Sequence, residues 1–187
     1  MKNTSILLML ATGFEEVEAV TTVDLLRRAS LPVQTVSITG ELMVKGAHGI
    51  SITADILFEN ADFNEAGMII LPGGMPGTTN LRDFEPLREQ LISFASSGKL
   101  LAAICAAPLV LASCGILEGK NATIYEGMED HLAGAIHSKE KVVTDGNLIT
   151  SKGPGTAMDF ALSIISRLKG AEAAEAVRKG LLYRSDN

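Results

Sequence analysis

Tryptophan is absent, aromatic residues make up 4% of the chain, and 187 residues contain only two cysteines, Cys105 and Cys114. Two cysteines cannot supply the disulfide framework of a small secreted domain, and neither a Cys-x-x-Cys nor a His-Glu-x-x-His pattern is present. The three histidines, His48, His131 and His137, are scattered, so no metal and no cofactor is expected. Basic clusters are also missing. Lys and Arg number 16 against 22 Asp and Glu, a net charge of −6 spread along the chain, which excludes the electrostatic footprint of a nucleic-acid binder. There is no linker, internal repeat or low-complexity segment, and the expectation is one domain over residues 1–187.

The N-terminus, MKNTSILLMLATGFEEVEAV, imitates a secretory leader, with Lys2 ahead of apolar residues. Its apolar core, Ile6 to Ala11, is too short, and Glu15, Glu16 and Glu18 follow where a cleavage site belongs. A cytoplasmic protein is expected. One long uncharged run does occur, LLAAICAAPLVLASCGIL from Leu100 to Leu117, and its length alone would suit a membrane span. Pro108 argues against that, because proline fits the first turn of a helix, and Gly115 suits a helix end. The run reads instead as a buried strand, a turn through Cys105, and a core helix.

Strand-like and helical patterns alternate along most of the chain. SILLML and AGMIILPGG are short and apolar, as strands buried on both faces should be. Phe14 to Ala29 carries Val17, Val20, Val23 or Asp24, and Leu26 or Arg27 at helical spacing. PVQTVSI is a second strand and GISITADILF an extended excursion. Phe84 to Ser97 is a helix ending at Gly98, and KLLAAIC is a central strand. KVVTDGNLIT reads as a hairpin around Asp145 and Gly146, and two helical patterns follow Gly155. The pattern is that of an α/β protein with a mostly parallel sheet.

Cys105 therefore falls at the carboxyl end of a central strand, before a helix. In open α/β sheets that crevice is the usual ligand site, and a helix N-terminus favours a thiolate. The expectation is that Cys105 titrates below an ordinary thiol and Cys114 does not. Many free cysteines, however, are simply small buried apolar residues, and position alone leaves both readings open. LPGG ends a neighbouring strand, so Gly74 with Ala106 could present backbone N–H groups to an oxyanion. Among the glutamates of FEEVE, spacing does not choose one.

Taken together, GFEEVEAVTTVDLLRRA, LPGG, AAICAAP and SKGPGT resemble the ThiJ/PfpI family, in the branch of the human parkinsonism-associated deglycase and its bacterial relatives. The resemblance runs from about Ser5 to Leu168. It implies a flavodoxin-like (class I glutamine amidotransferase-like) α/β sandwich and a homodimer. It matches Cys105 to the family's reactive elbow cysteine and Glu18 to a protonated glutamate that hydrogen-bonds the sulfur. It also places Gly73, Gly74 and Ala106 around that sulfur. One departure stands out: members with glyoxalase or deglycase activity carry a histidine twenty residues after the cysteine, and here that position is Tyr125, a possible pocket residue. The peptidase-like branch has a histidine directly after the cysteine, where this chain has Ala106, so proteolysis is disfavoured.

The implied activity is cysteine-dependent defence against reactive carbonyls, on small aldehydes or glycated groups. The alternative is a redox-sensing stress protein or chaperone in which Cys105 is oxidised to a sulfinate. A fall in thiol pKa from about 8.5 to about 5.5 would raise the thiolate fraction roughly 30-fold, while intrinsic nucleophilicity would fall roughly 15- to 30-fold. Acidity by itself therefore does not make a carbonyl catalyst. Such an enzyme also needs oxyanion donors and a proton shuttle.

Overall fold

Strands apolar on both faces form the centre of the protein, whose structure is a computed structural model describing residues 5–184. Lys2, part of the leader-like pattern, lies outside the described residues. In chain order the first elements are β1 (Ser5–Leu10), α1 (Glu16–Arg28), β2 (Val33–Ser37), β3 (Met43–Lys45), β4 (Ser51–Thr53), β5 (Ile56–Leu57) and β6 (Ala66–Leu71). Then come α2 (Gly77–Asp83), α3 (Glu85–Ser96), β7 (Leu100–Ile104) and α4 (Pro108–Ser113). The C-terminal part adds β8 (Asn121–Ala122), β9 (Ile136–His137), β10 (Val142–Asp145), β11 (Leu148–Ser151), α5 (Ala157–Lys169) and α6 (Ala171–Gly180).

The main sheet has seven strands in the order β10-β11-β7-β6-β1-β2-β5. Every pairing in it is parallel except β10 with β11, the expected hairpin. Gly146 takes the positive φ of 61° at the first position of its two-residue loop, a conformation glycine adopts without strain. The uncharged run from Leu100 divides into β7, a turn and α4. Among the described residues no helix is long and apolar enough to cross a membrane.

Strand alternation sorts the core into two layers. Ile6, Leu8 and Leu10 of β1, with Met68, Ile70, Ala102 and Ile104, pack against α1 and α5. Leu7 and Met9, with Ile69, Leu71, Leu101 and Ala103, face α2, α3 and α4. In α5, Phe160, Ala161, Ile164 and Ile165 recur at helical spacing and are all buried. This is the flavodoxin-like sandwich implied by the motifs.

Two local expectations are corrected. The first helix starts at Glu16 rather than Phe14 because the preceding residues are held by other partners. Phe14 N donates to Ala11 O at 3.0 Å and Glu15 N to Gly73 O at 2.8 Å. Its buried stripe is also different. Glu18, Ala19, Thr22, Leu25 and Leu26 face inward, whereas Val17 and Val20 are 51% and 48% exposed. The excursion after Gly49 contains β4, which pairs with β3 as a separate antiparallel hairpin, and β5 at the sheet edge. Helix α2 had no signal in the sequence, since it is short and opens on glycine.

The order of strands places the site. β1 lies between β2 and β6, so the chain runs to one side after β1 and later returns on the other. Loops leaving the carboxyl ends of β1 and β6 diverge there and open a crevice. β7 ends beside it at Ile104.

Phe160 is fully buried at the centre of the α1–α5 layer. Phe160→Ala should lower unfolding free energy by about 3–5 kcal/mol, measured by urea denaturation with an unchanged m-value.

Candidate active site

Cys105 continues β7 by one residue. Its N–H donates to Ser151 O at the end of β11, and its carbonyl accepts from Tyr125 N, both at 2.9 Å. Held from both sides, it adopts a φ of 63°. That region is costly for a residue with a Cβ and persists where surrounding bonds impose it. Ala107 N returns to Ile104 O at 3.0 Å, closing a tight turn before α4. The result is a strand–cysteine–helix elbow that lifts the side chain above the sheet edge.

Glu18 arrives from the first turn of α1 and is completely buried. Its Oε2 accepts the Gly73 N–H at 2.7 Å. Its Oε1 is buried without a hydrogen-bond partner among the described residues, and the carboxyl also interacts with the Cys105 thiol. Gly73 makes this approach possible. A Cβ on it would lie 2.6 Å from Cys105 Cβ and 2.9 Å from Glu18 Oε2. The backbone N–H groups of Ala106 and Gly74 are directed at the sulfur. The five residues expected around the sulfur are thus adjacent.

The electrostatics differ from the expectation for Cys105. Burial, followed by the negative charge of Glu18 and their mutual hydrogen bond, pushes the thiol up to about 12, with the Ala106 and Gly74 N–H groups pulling the other way. Helix α4 cannot reverse this, because it has six residues and starts at Pro108, three positions after the cysteine. Burial raises Glu18 to about 7, against the lowering effect of the Gly73 N–H and the Cys105 hydrogen bond. The negative charge of each acid disfavours that of the other, so near pH 7 Glu18 is about half ionised while Cys105 keeps its proton. Burial also raises Cys114, partly opposed by Arg88, so both cysteines shift in the same direction.

The remaining glutamates separate clearly. Glu16 turns away from the sulfur and caps the loop between β3 and β4, accepting from His48 N at 2.7 Å and Ile50 N at 3.3 Å. Burial opposes its ionisation, but these bonds and that from the His48 ring hold its carboxyl below the usual range. The His48 Nδ1 lies 2.9 Å from Glu16 and 3.6 Å from Glu15. This three-residue cluster joins positions too far apart in sequence for spacing to reveal it. Its Glu16 oxygens are already committed to the loop.

Tyr125 stands at the entrance and is 49% exposed. Its ring is 3.3 Å from where a Gly153 Cβ would sit, and that position is 3.9 Å from Cys105 Sγ. The SKGPGT loop forms the facing wall, fixed by Ser151 Oγ and Thr156 Oγ1 at 2.7 Å. Between them lies an open cavity of about 430 Å³, lined by Tyr125, Glu126, Lys152, Gly153, Pro154 and Thr156, among others. No hydrogen bond or ion pair joins His131 or His137 to Cys105 among the described residues. Sequence reasoning overlooked Lys152, because a single lysine in a glycine-rich loop carries no periodic signal.

Comparison with known proteins identifies relatives of the whole described fold. The model of the DJ-1/PfpI family matches residues 4–167. Protein dj-1beta of Drosophila melanogaster is 40% identical over 180 residues, covering 95% of this chain and 96% of the relative. The glutathione-independent glyoxalase DJR-1.2 of Caenorhabditis elegans is 34% identical, with 96% of each chain covered. The oxidized DJ-1 of Toxoplasma gondii superposes with a TM-score of 0.93 at 35% identity, covering 97% of this chain and all of that one. The chain spans under half the length of two Arabidopsis thaliana homologues.

The raised Glu18 pKa sets a pH dependence of stability. The native state holds this proton more tightly than the unfolded chain, so the stability Glu18 contributes is fully present below 4.5 and is lost as pH rises through about 7. Glu18→Gln keeps an acceptor for Gly73 and removes the titration. Relative to the parent, it should gain on the order of 3 kcal/mol between pH 4.5 and 7, read from denaturant unfolding across that range. A parent-minus-variant difference independent of pH would contradict the assignment.

Proposed function

The chain belongs to the DJ-1/PfpI family, and from that membership we propose that it is a cysteine-dependent enzyme acting on reactive carbonyls, of the glutathione-independent glyoxalase or deglycase type. The observation that carries this reading is the buried Glu18 carboxyl, fixed by the Gly73 N–H and hydrogen-bonded to the Cys105 thiol. A thiol near 12 is a weak nucleophile until a base removes its proton, and a carboxyl near 7 beside it can do so at neutral pH.

For an α-oxoaldehyde the steps balance without an external oxidant. Glu18 takes the thiol proton as Sγ bonds to the aldehyde carbon. The C=O electron pair moves to oxygen, which receives that proton to give a hemithioacetal. Glu18 then removes the proton on the former aldehyde carbon, and the resulting enediol is reprotonated at the neighbouring carbon. One carbon is oxidised and its neighbour reduced, leaving a thioester of a 2-hydroxy acid. Water cleaves the thioester, releasing the hydroxy acid and regenerating the thiol. The Gly74 and Ala106 N–H groups, already directed at sulfur, would stabilise negative charge on sulfur and on the adjacent oxygen.

In this scheme Tyr125 stands where a histidine would supply an acid–base group at neutral pH, and a positioned group of that kind contributes about 10² to 10⁴-fold. The second reading, oxidation of Cys105 to a sulfinate, is supported by the unpartnered Glu18 Oε1, which could donate a proton to a sulfinate oxygen. Two molecules of a peroxide would supply the oxidation, each transferring one oxygen to sulfur as its O–O bond breaks.

Assembly as a homodimer belongs to the same proposal. Val17 and Val20 on α1, with Met43 and Ile50 on the β3–β4 hairpin, are exposed apolar side chains, and a second copy of the chain would cover them.

Methylglyoxal turnover with product analysis tests the enzyme reading. The parent should form lactate slowly, Cys105→Ser should form none, and kcat/KM should rise with pH through about 7. Tyr125→His should raise kcat by up to about 10²-fold. No turnover in the parent and none gained in Tyr125→His would leave the redox reading in its place.

A further inference from the structure

Lys152 is the one cationic side chain in the cavity beside Cys105. Its chain neighbours lie beside the cysteine: Ser151 O accepts the Cys105 N–H, and the position where a Cβ on Gly153 would sit is 3.9 Å from Sγ. Lys152 is therefore held within one residue of the reacting atom on a loop that internal hydrogen bonds make stiff. Half-buried in that wall, its ammonium forms no hydrogen bond and no ion pair within 4.0 Å among the described residues. Two carboxylates lie near. Glu126 lines the same cavity but is exposed. Glu129 accepts the Gly127 N–H at 3.1 Å, and the Lys152 charge only assists its ionisation from a distance.

An uncommitted cation at the mouth of a site is unexpected in a chain of net charge −6. The overall charge discourages anions, but salt screens it beyond about 8 Å. Within that distance a cation lining the cavity can attract an anion held in the same cavity. We propose that Lys152 is a specificity-determining residue that binds a carboxylate on the substrate, so that the preferred carbonyl compound is an aldehyde bearing an anionic group a few bonds from the reacting carbon. This names the substrate class of the site and rests on the reading of Cys105 as a carbonyl nucleophile. Binding is ionic, and the covalent steps at sulfur are those already written.

The first measurement needs no turnover. Cys105 is alkylated with iodoacetate, an anion, and with iodoacetamide, its neutral counterpart, and followed by mass spectrometry in the parent and in Lys152 variants. The iodoacetate-to-iodoacetamide rate ratio at Cys105 should fall about tenfold at low salt in Lys152→Met. It should persist in Lys152→Arg and rise in Glu126→Gln, while the ratio at Cys114, beside Arg88, stays the same in all of them. An unchanged ratio at Cys105 in Lys152→Met would overturn the proposal. The second arm compares kcat/KM for dioxovalerate, an α-oxoaldehyde with a terminal carboxylate, with that for methylglyoxal. Lys152→Met should lower the ratio of the two about tenfold. An anion preference in alkylation without turnover of either aldehyde would sustain the Lys152 site and remove the enzyme reading. Turnover with no anion preference in either arm would do the reverse.

Discussion

One buried carboxyl beside one partly buried thiol is the constraint around which this protein is arranged. Glu18 and Cys105 are both acids, and neither can release its charge to solvent. An unpaired buried polar atom normally costs about 1–3 kcal/mol, yet Glu18 Oε1 has no hydrogen-bond partner among the described residues. The arrangement holds because three elements leave no alternative. α1 delivers Glu18 inward, Gly73 after β6 supplies a donor and the room for it, and the turn after β7 fixes the sulfur.

Much of the surrounding backbone serves that convergence. The elbow is anchored by β11 through Ser151 and by the segment after α4 through Tyr125. Those same attachments bring the SKGPGT loop and the Tyr125 ring to the site, so the cavity walls and the strained cysteine are set by one group of hydrogen bonds. The short α4 matters as well. A longer helix beginning at the cysteine would favour a free thiolate, whereas this one leaves the proton to be shared with Glu18 and makes thiol reactivity depend on the carboxyl.

Charge is distributed by distance from this pair. Glu16, two positions before Glu18, keeps its negative charge because the His48 loop surrounds it with donors. Glu18 has one fixed backbone donor and a raised pKa. On the other side of the cavity Lys152 supplies a positive charge that forms no hydrogen bond or ion pair within 4.0 Å among the described residues and acts on Glu129 only from a distance. The outward face of α1 carries Val17 and Val20 beside the charged Asp24, Arg27 and Arg28, while its inward face buries Glu18 among Ala19, Leu25 and Leu26.

Strand identity and layer order were legible from Ile6–Leu10, Ala66–Leu71 and Leu100–Ile104, because parallel strands buried on both faces must be apolar throughout. The hairpin was legible in Asp145-Gly146, and the elbow in a cysteine placed between an apolar strand and Pro108. These depend on local pattern, which a sequence records directly. The inward face of α1 was not legible, since Val17 and Val20 fit a core stripe as well as Ala19 and Thr22 do. Nor was the choice among three glutamates, the fate of the Cys105 proton, or the meeting of Lys152 with the sulfur. Each depends on which residues from distant segments share a small buried volume, and burial and mutual repulsion there outweigh the local preferences of a helix terminus. The chain's own pattern determined the sheet and the position of the cysteine; only the packing of α1, β6, β7 and β11 decided what that cysteine faces.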